Sequence, residues 1–188
     1  MEKYDEPKGR KVAINPIAAN VYSFLLLIVS VIVFAGPFYI LWKENMVGQN
    51  QFKGISLMWL CVLFLVSIVV HELLHGIVFA CYAKSGWKSI KFGIKWKYLM
   101  PYCHCNEPIS KRAYMVALLL PLIAMGIIPS VLSLFIGSVN LLMYGILLIS
   151  AALGDIYMAW LLRKEETKTR ILDHPNEPAL YVLYRENK

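Results

Sequence analysis

The chain has 188 residues, of which 59% are apolar and only 16% charged, with a net charge of +7 and a mean hydropathy of +0.57. A soluble domain is nearer about 45–50% apolar and about 25% charged, and a domain this small buries only part of its surface. These figures exclude a water-soluble globular domain and predict one integral membrane domain over residues 1–188. The positive balance does not imply nucleic acid, because lysines beside membrane spans serve orientation and lipid contact. The expected partners are the lipid bilayer and a membrane protein or peptide.

Four apolar stretches each exceed the roughly 20 residues needed to cross about 30 Å of hydrocarbon. They run over Ile17–Trp42, Ile55–Tyr82, Ala113–Ile136 and Val139–Leu162. The first is too long for a signal-peptide core and lacks a small-residue cleavage site. Only Gly137 and Ser138 separate the last two, which predicts a tight helical hairpin. The expected fold class is an all-α membrane protein. It is a four-helix bundle with a short strand or hairpin in the loop between helices two and three. The head, the loop over 83–112 and the tail over 163–188 hold 17 of the 19 basic residues, so the positive-inside rule places all three in the cytoplasm. This gives a multi-pass cell-membrane protein with both termini inside. Pro121 and Pro129 predict accommodated kinks in span three.

Charged groups are rare in hydrocarbon, and each one is a functional hypothesis. The spans hold two acids, Glu72 and Asp155, and two histidines, His71 and His75. Three of the four form the run His71-Glu72-Leu73-Leu74-His75 inside an apolar helix without proline. Four residues on a helix advance about 400°, so both imidazoles emerge on one face, one turn apart. That spacing suits two imidazole nitrogens binding one zinc ion, with Glu72 beside the first as general base. A chance match is a poor account, since an uncompensated cluster in hydrocarbon costs several kcal/mol.

A catalytic zinc ordinarily takes a third protein ligand and keeps one position open. The candidates are Asp155, His104 and Glu107. His75 lies nine residues before Lys84 and Asp155 eight before Arg163, with both helices running inward. At about 1.5 Å per residue both sit roughly 12–14 Å from the cytoplasmic boundary, which favours Asp155. The small residues Ala151, Ala152, Gly154 and Ala159 around it allow another helix to approach closely. His104, in the run Cys103-His104-Cys105, is the runner-up. Asn106 and His104 are the candidates for stabilising an oxyanion.

On these residues the chain resembles a family of small bacterial membrane proteins described as putative zincin peptidases. It is also similar to the site-2 protease class of intramembrane zinc metalloproteases. The first resemblance rests on His71–His75, on Cys103-His104-Cys105-Asn106-Glu107-Pro108-Ile109-Ser110, on Tyr114 with Leu118-Leu119-Leu120-Pro121, and on Gly154-Asp155. The second implies Asp155 as third ligand to Zn2+. The protease class carries Asn and Pro upstream of that acid and Gly after it, where this chain has Leu147, Ser150 and Ile156. Metal binding therefore carries over, and substrate handling does not.

In the loop, Ile90, Phe92, Ile94, Trp96 and Tyr98 alternate with Lys91, Gly93, Lys95 and Lys97. Strict period two predicts a strand over Ser89–Tyr98, one face apolar and the other basic, ended by Met100-Pro101. Its expected place is the cytoplasmic interface; the sharper reading is an edge that pairs with an extended substrate. The tail reads as polar, with a short strand over Ala179–Tyr184 and a solvated His174. Cys61 and Cys81 read as small packing residues in span two. The leading function is a membrane-embedded zinc metalloendopeptidase. The competing readings are a metal carrier or sensor and a catalytically silent helix-binding scaffold. A carrier would tend to show inverted repeats and broken helices, and the sequence predicts neither.

Overall fold

A computed structural model describes residues 9–46, 57–96, 100–175 and 177–184. The start of the second expected span, the lysines at 3, 8, 53 and 97, Tyr98, Arg185 and Lys188 lie outside the described residues.

The apolar stretches fold as helices. The first comprises α1 (Pro16–Ser30), a π-helical turn (Val31–Ala35) and α2 (Gly36–Met46). The second is α3 (Leu57–Tyr82), and the third is α4 (Lys111–Pro121), a π-helical segment (Leu122–Ile127) and α5 (Ile128–Ile136). The fourth is broken into α6 (Val139–Ala151) and α7 (Leu153–Leu162), bent by 45°. Among the described residues three helices are long and apolar enough to cross a membrane, and four if the bent pair is one span. Their outward faces agree: Ile32 is 67% exposed, Leu65 62% and Phe135 77%, a pattern that water would penalise and lipid would not.

Both π segments have the same cause. Pro37 and Pro129 each lack an N–H, and each ring would clash with the carbonyl four residues earlier, at Val33 and Met125. Both carbonyls lie inside the π-helical turns, where the wider i→i+5 spacing gives the ring room. Pro129 is thus accommodated as expected, by widening the helix.

The described residues group into two compact units. One draws on Asn15–His71 and Leu119–Tyr157. Its core is Phe38, Val139, Leu142 and Ile146, with Leu27, Phe34 and Trp42 packed against them. The Trp42 indole N–H donates to the Leu134 carbonyl at 2.9 Å, and the Ser23 hydroxyl donates to the Ser150 carbonyl at 3.0 Å. The hairpin between α5 and α6 turns at Gly137, whose φ of 74° favours glycine, while Ser138 caps α6 by accepting from the Leu141 N–H. Gly145 lets α6 approach the third span closely, since a Cβ there would stand 2.2 Å from Ser130 Oγ and 2.8 Å from the Gly126 carbonyl oxygen. Gly145→Ala is therefore expected to cost about 1–3 kcal/mol through overpacking. Denaturant titration in mild detergent checks this, and unchanged stability would show that the helices separate freely.

The other unit draws on Met1–Ile14, Glu72–Leu118 and Met158–Lys188. It contains more sheet than the sequence predicts. Strands β1 (Arg10–Ala13), β4 (Ile109–Ser110), β5 (Arg170–Asp173) and β6 (Ala179–Leu183) form one antiparallel sheet in the order β1-β6-β5-β4. Strands β2 (Ile90–Lys95) and β3 (Met100–Cys105) form a hairpin in which Ile90 faces Cys105 and Ile94 faces Pro101. The expected strand is present as β2. Met100-Pro101 does not simply end it but opens the return strand. Proline is tolerated there because β3 has a sheet neighbour on one side only. The expected strand in the tail is β6. His174 is not solvated: it is 8% exposed, stacks on Tyr181 and accepts from the Glu177 N–H. The turn between two paired strands folds it inward.

Candidate metal centre on the third helix

Helix α3 runs from Leu57 to Tyr82 without proline or break. His71, Glu72 and His75 therefore keep helical spacing, and the two imidazoles stand on adjacent turns of one face. Ser67, one turn earlier, is 2% exposed; its hydroxyl donates to the Leu63 carbonyl within the helix and pairs with the Tyr144 hydroxyl at 3.1 Å. A polar pair of this kind fixes a helix face in an apolar setting.

His71 Nε2 lies 3.0 Å from Asp155 Oδ2. The break at Ala152 puts Asp155 in the first turn of α7, where the helix dipole favours a carboxylate. His75 is 6% exposed, and its Nδ1 lies 2.8 Å from the Ala117 carbonyl oxygen. A carbonyl only accepts, so Nδ1 carries the hydrogen and the neutral ring keeps its lone pair on Nε2. One ligand atom from each of His71, His75 and Asp155 lies within 4.8 Å of the others. Among the described residues no other group of three or more His, Cys, Asp and Glu side chains gathers in this way.

This donor set fits zinc. Two imidazoles and one carboxylate are a ligand combination of catalytic zinc, and a backbone carbonyl holding the far nitrogen of a ligand histidine is the usual outer support. The structure thus brings together the three residues that the sequence singles out as ligands. Glu72, half-buried, follows His71 directly on the helix.

The alternatives are placed elsewhere. His104 Nδ1 lies 3.8 Å from Asp173 Oδ2. The Glu107 carboxylate accepts from the Lys84 N–H at 2.8 Å and the Ser85 N–H, which ties the loop to the end of α3; the Ser85 hydroxyl first, and these N–H groups after it, hold its pKa below the usual range. Burial pushes the Cys103 thiol up, and the Glu72 carboxylate raises it further. Burial also raises Cys105. Among the described residues neither sulfur gathers with His104 and a further donor into a group that could hold a metal ion. Asn106 is exposed.

Two features near the site escaped the sequence reading, the Ala117 carbonyl on His75 and the buried Asp173 that accepts from Tyr114. A backbone acceptor carries no signal in residue type. Asp173 occupies an inward position of β5, on the same face as Ile171, but the strand is only four residues long.

A family profile described as "Putative zincin peptidase" matches residues 64–169, more than half of the chain. The chain belongs to this zincin peptidase family. No curated protein and no solved structure matches it. The matched residues of this zincin-family chain include His71, Glu72, His75, His104 and Asp155. They stop one residue before β5.

Proposed function

We propose that this zincin-family chain is a membrane-embedded zinc endopeptidase that hydrolyses peptide bonds of membrane-associated substrates near the cytoplasmic side. The observation that carries the reading is the convergence of His71, His75 and Asp155 on apolar helices, with an acid directly after the first histidine. His71, His75 and Asp155 would hold the metal. Zinc, when bound, makes water acidic enough to lose a proton near neutral pH and polarises a peptide carbonyl. Glu72 accepts that proton and delivers it to the leaving nitrogen, which is why the acid must adjoin the ligand helix face without itself being a ligand. The Ala117 carbonyl keeps His75 in the tautomer that offers Nε2.

The hairpin supports the same reading. Phe92 on β2 packs against Gly76, where a Cβ would stand 2.5 Å from the ring, one residue after His75. Proteolysis needs an extended backbone, because a helix hides its carbonyls, and an edge strand beside the ligand helix can hold one by main-chain pairing. The clustering of basic residues in the head, the middle loop and the tail supports an orientation with both termini on the cytoplasmic side.

The bend between α6 and α7 favours a second reading, a metal carrier or sensor, since carriers use broken helices at their ion sites. Such a protein has no need of a general base at Glu72. Comparative membrane proteomics of a Glu72→Gln strain against wild type separates the two. One full-length membrane protein accumulating only in the variant supports the peptidase. Identical proteomes, with cellular zinc altered only when His71 and His75 are replaced, support the carrier.

A further inference from the structure

Asp173 stands on β5, in the part of the chain beyond the family match, and is 9% exposed. A buried carboxylate without partners costs several kcal/mol, and burial does push this one upward in pKa. Its partners are specific. One oxygen accepts the Tyr114 hydroxyl and the other the Cys105 N–H at 2.8 Å. Tyr114 lies on α4 three residues before Ala117, so both fall on neighbouring turns of one helix face. Both are buried, at 6% and 0% exposed. The Ala117 carbonyl is the group that holds His75 Nδ1. A second path leads to the same imidazole: the Tyr114 ring packs on Phe79 at 5.3 Å, and Phe79 stacks on His75 at 6.4 Å.

We propose that Asp173 and Tyr114 are positioning residues for His75, fixing α4 so that the Ala117 carbonyl and the Phe79 ring hold the imidazole in its metal-binding tautomer and orientation. The tail sheet is then part of the metal centre, although it carries no ligand. This rests on the metal reading above. Partners one step behind a ligand typically change metal affinity about 10–100-fold when removed, and a hydroxyl acting through a helix belongs near the lower figure.

The test uses the full-length chain in detergent, freed of metal and titrated with Zn2+ against a competing chelator, then with Co2+ while its visible spectrum is recorded. Tyr114→Phe keeps the ring and removes only the hydroxyl, so it is expected to fold. Its zinc affinity should fall about tenfold, and its cobalt bands should shift, which a purely structural loss elsewhere would not produce. Asp173→Ala should fall at least as far, and the double variant no further than Asp173→Ala alone, because both act along one path. Arg170→Ala, which removes a hydrogen bond from the same strand to the Pro108 carbonyl, should match wild type in both readings. Wild-type affinity and spectrum in Tyr114→Phe, with His75→Ala weakened, would overturn the positioning role alone. Equal affinity in wild type and His75→Ala would overturn the metal reading and this inference with it.

Discussion

Glu72→Gln should retain zinc at the wild-type level and lose peptide cleavage by at least about 10²–10⁴-fold, the usual contribution of a positioned general base. The amide has nearly the shape of the acid, so the helix and its two imidazoles are undisturbed. It cannot take up a proton, so neither activation of water nor protonation of the leaving nitrogen is served. Metal content and turnover of a substrate identified by accumulation are measured on the same preparation. Loss of zinc in this variant would make Glu72 part of the metal's support and strengthen the carrier reading.

The second large effect concerns Asp155. Asp155→Ala removes one donor and the negative charge that offsets the ion in an apolar setting, so zinc affinity should fall steeply. His104→Ala should have a far smaller effect, because the gathered ligand atoms are those of His71, His75 and Asp155 and His104 is not among them. The fold should survive Asp155→Ala, since a carboxylate in hydrocarbon carries a desolvation cost that the variant relieves. Zinc content of the two variants, compared in one detergent, decides the matter. Loss only in the His104 variant would move the third ligand to β3.

The apolar spans were legible because lipid imposes length and composition on them, and the histidine pair because helical spacing alone brings His71 and His75 to one face. Asp155 was reachable through its depth. The break before it was not: Ser150, Ala151, Ala152 and Gly154 include no proline, and alanine is the best helix former. The π-helical turns follow from Pro37 and Pro129 once the carbonyl four residues earlier is considered, yet proline alone reads as a kink. The tail sheet was hidden for another reason. Its strands are short, and Asp173 and His174 look solvated until the pairing of β5 with β4 and β6 turns them inward. Long-range pairing of brief strands leaves little periodic trace, so the part of the centre that supports His75 was invisible while the ligands themselves were not.

The central claim is that His71, His75 and Asp155 hold one metal ion. Elemental analysis of gently purified protein tests it most directly, set beside a His71→Ala, His75→Ala double variant of equal purity and fold. About one zinc per wild-type chain and none in the variant is the expected result. Equal zinc in both, or none in either after purification with zinc present, would contradict it.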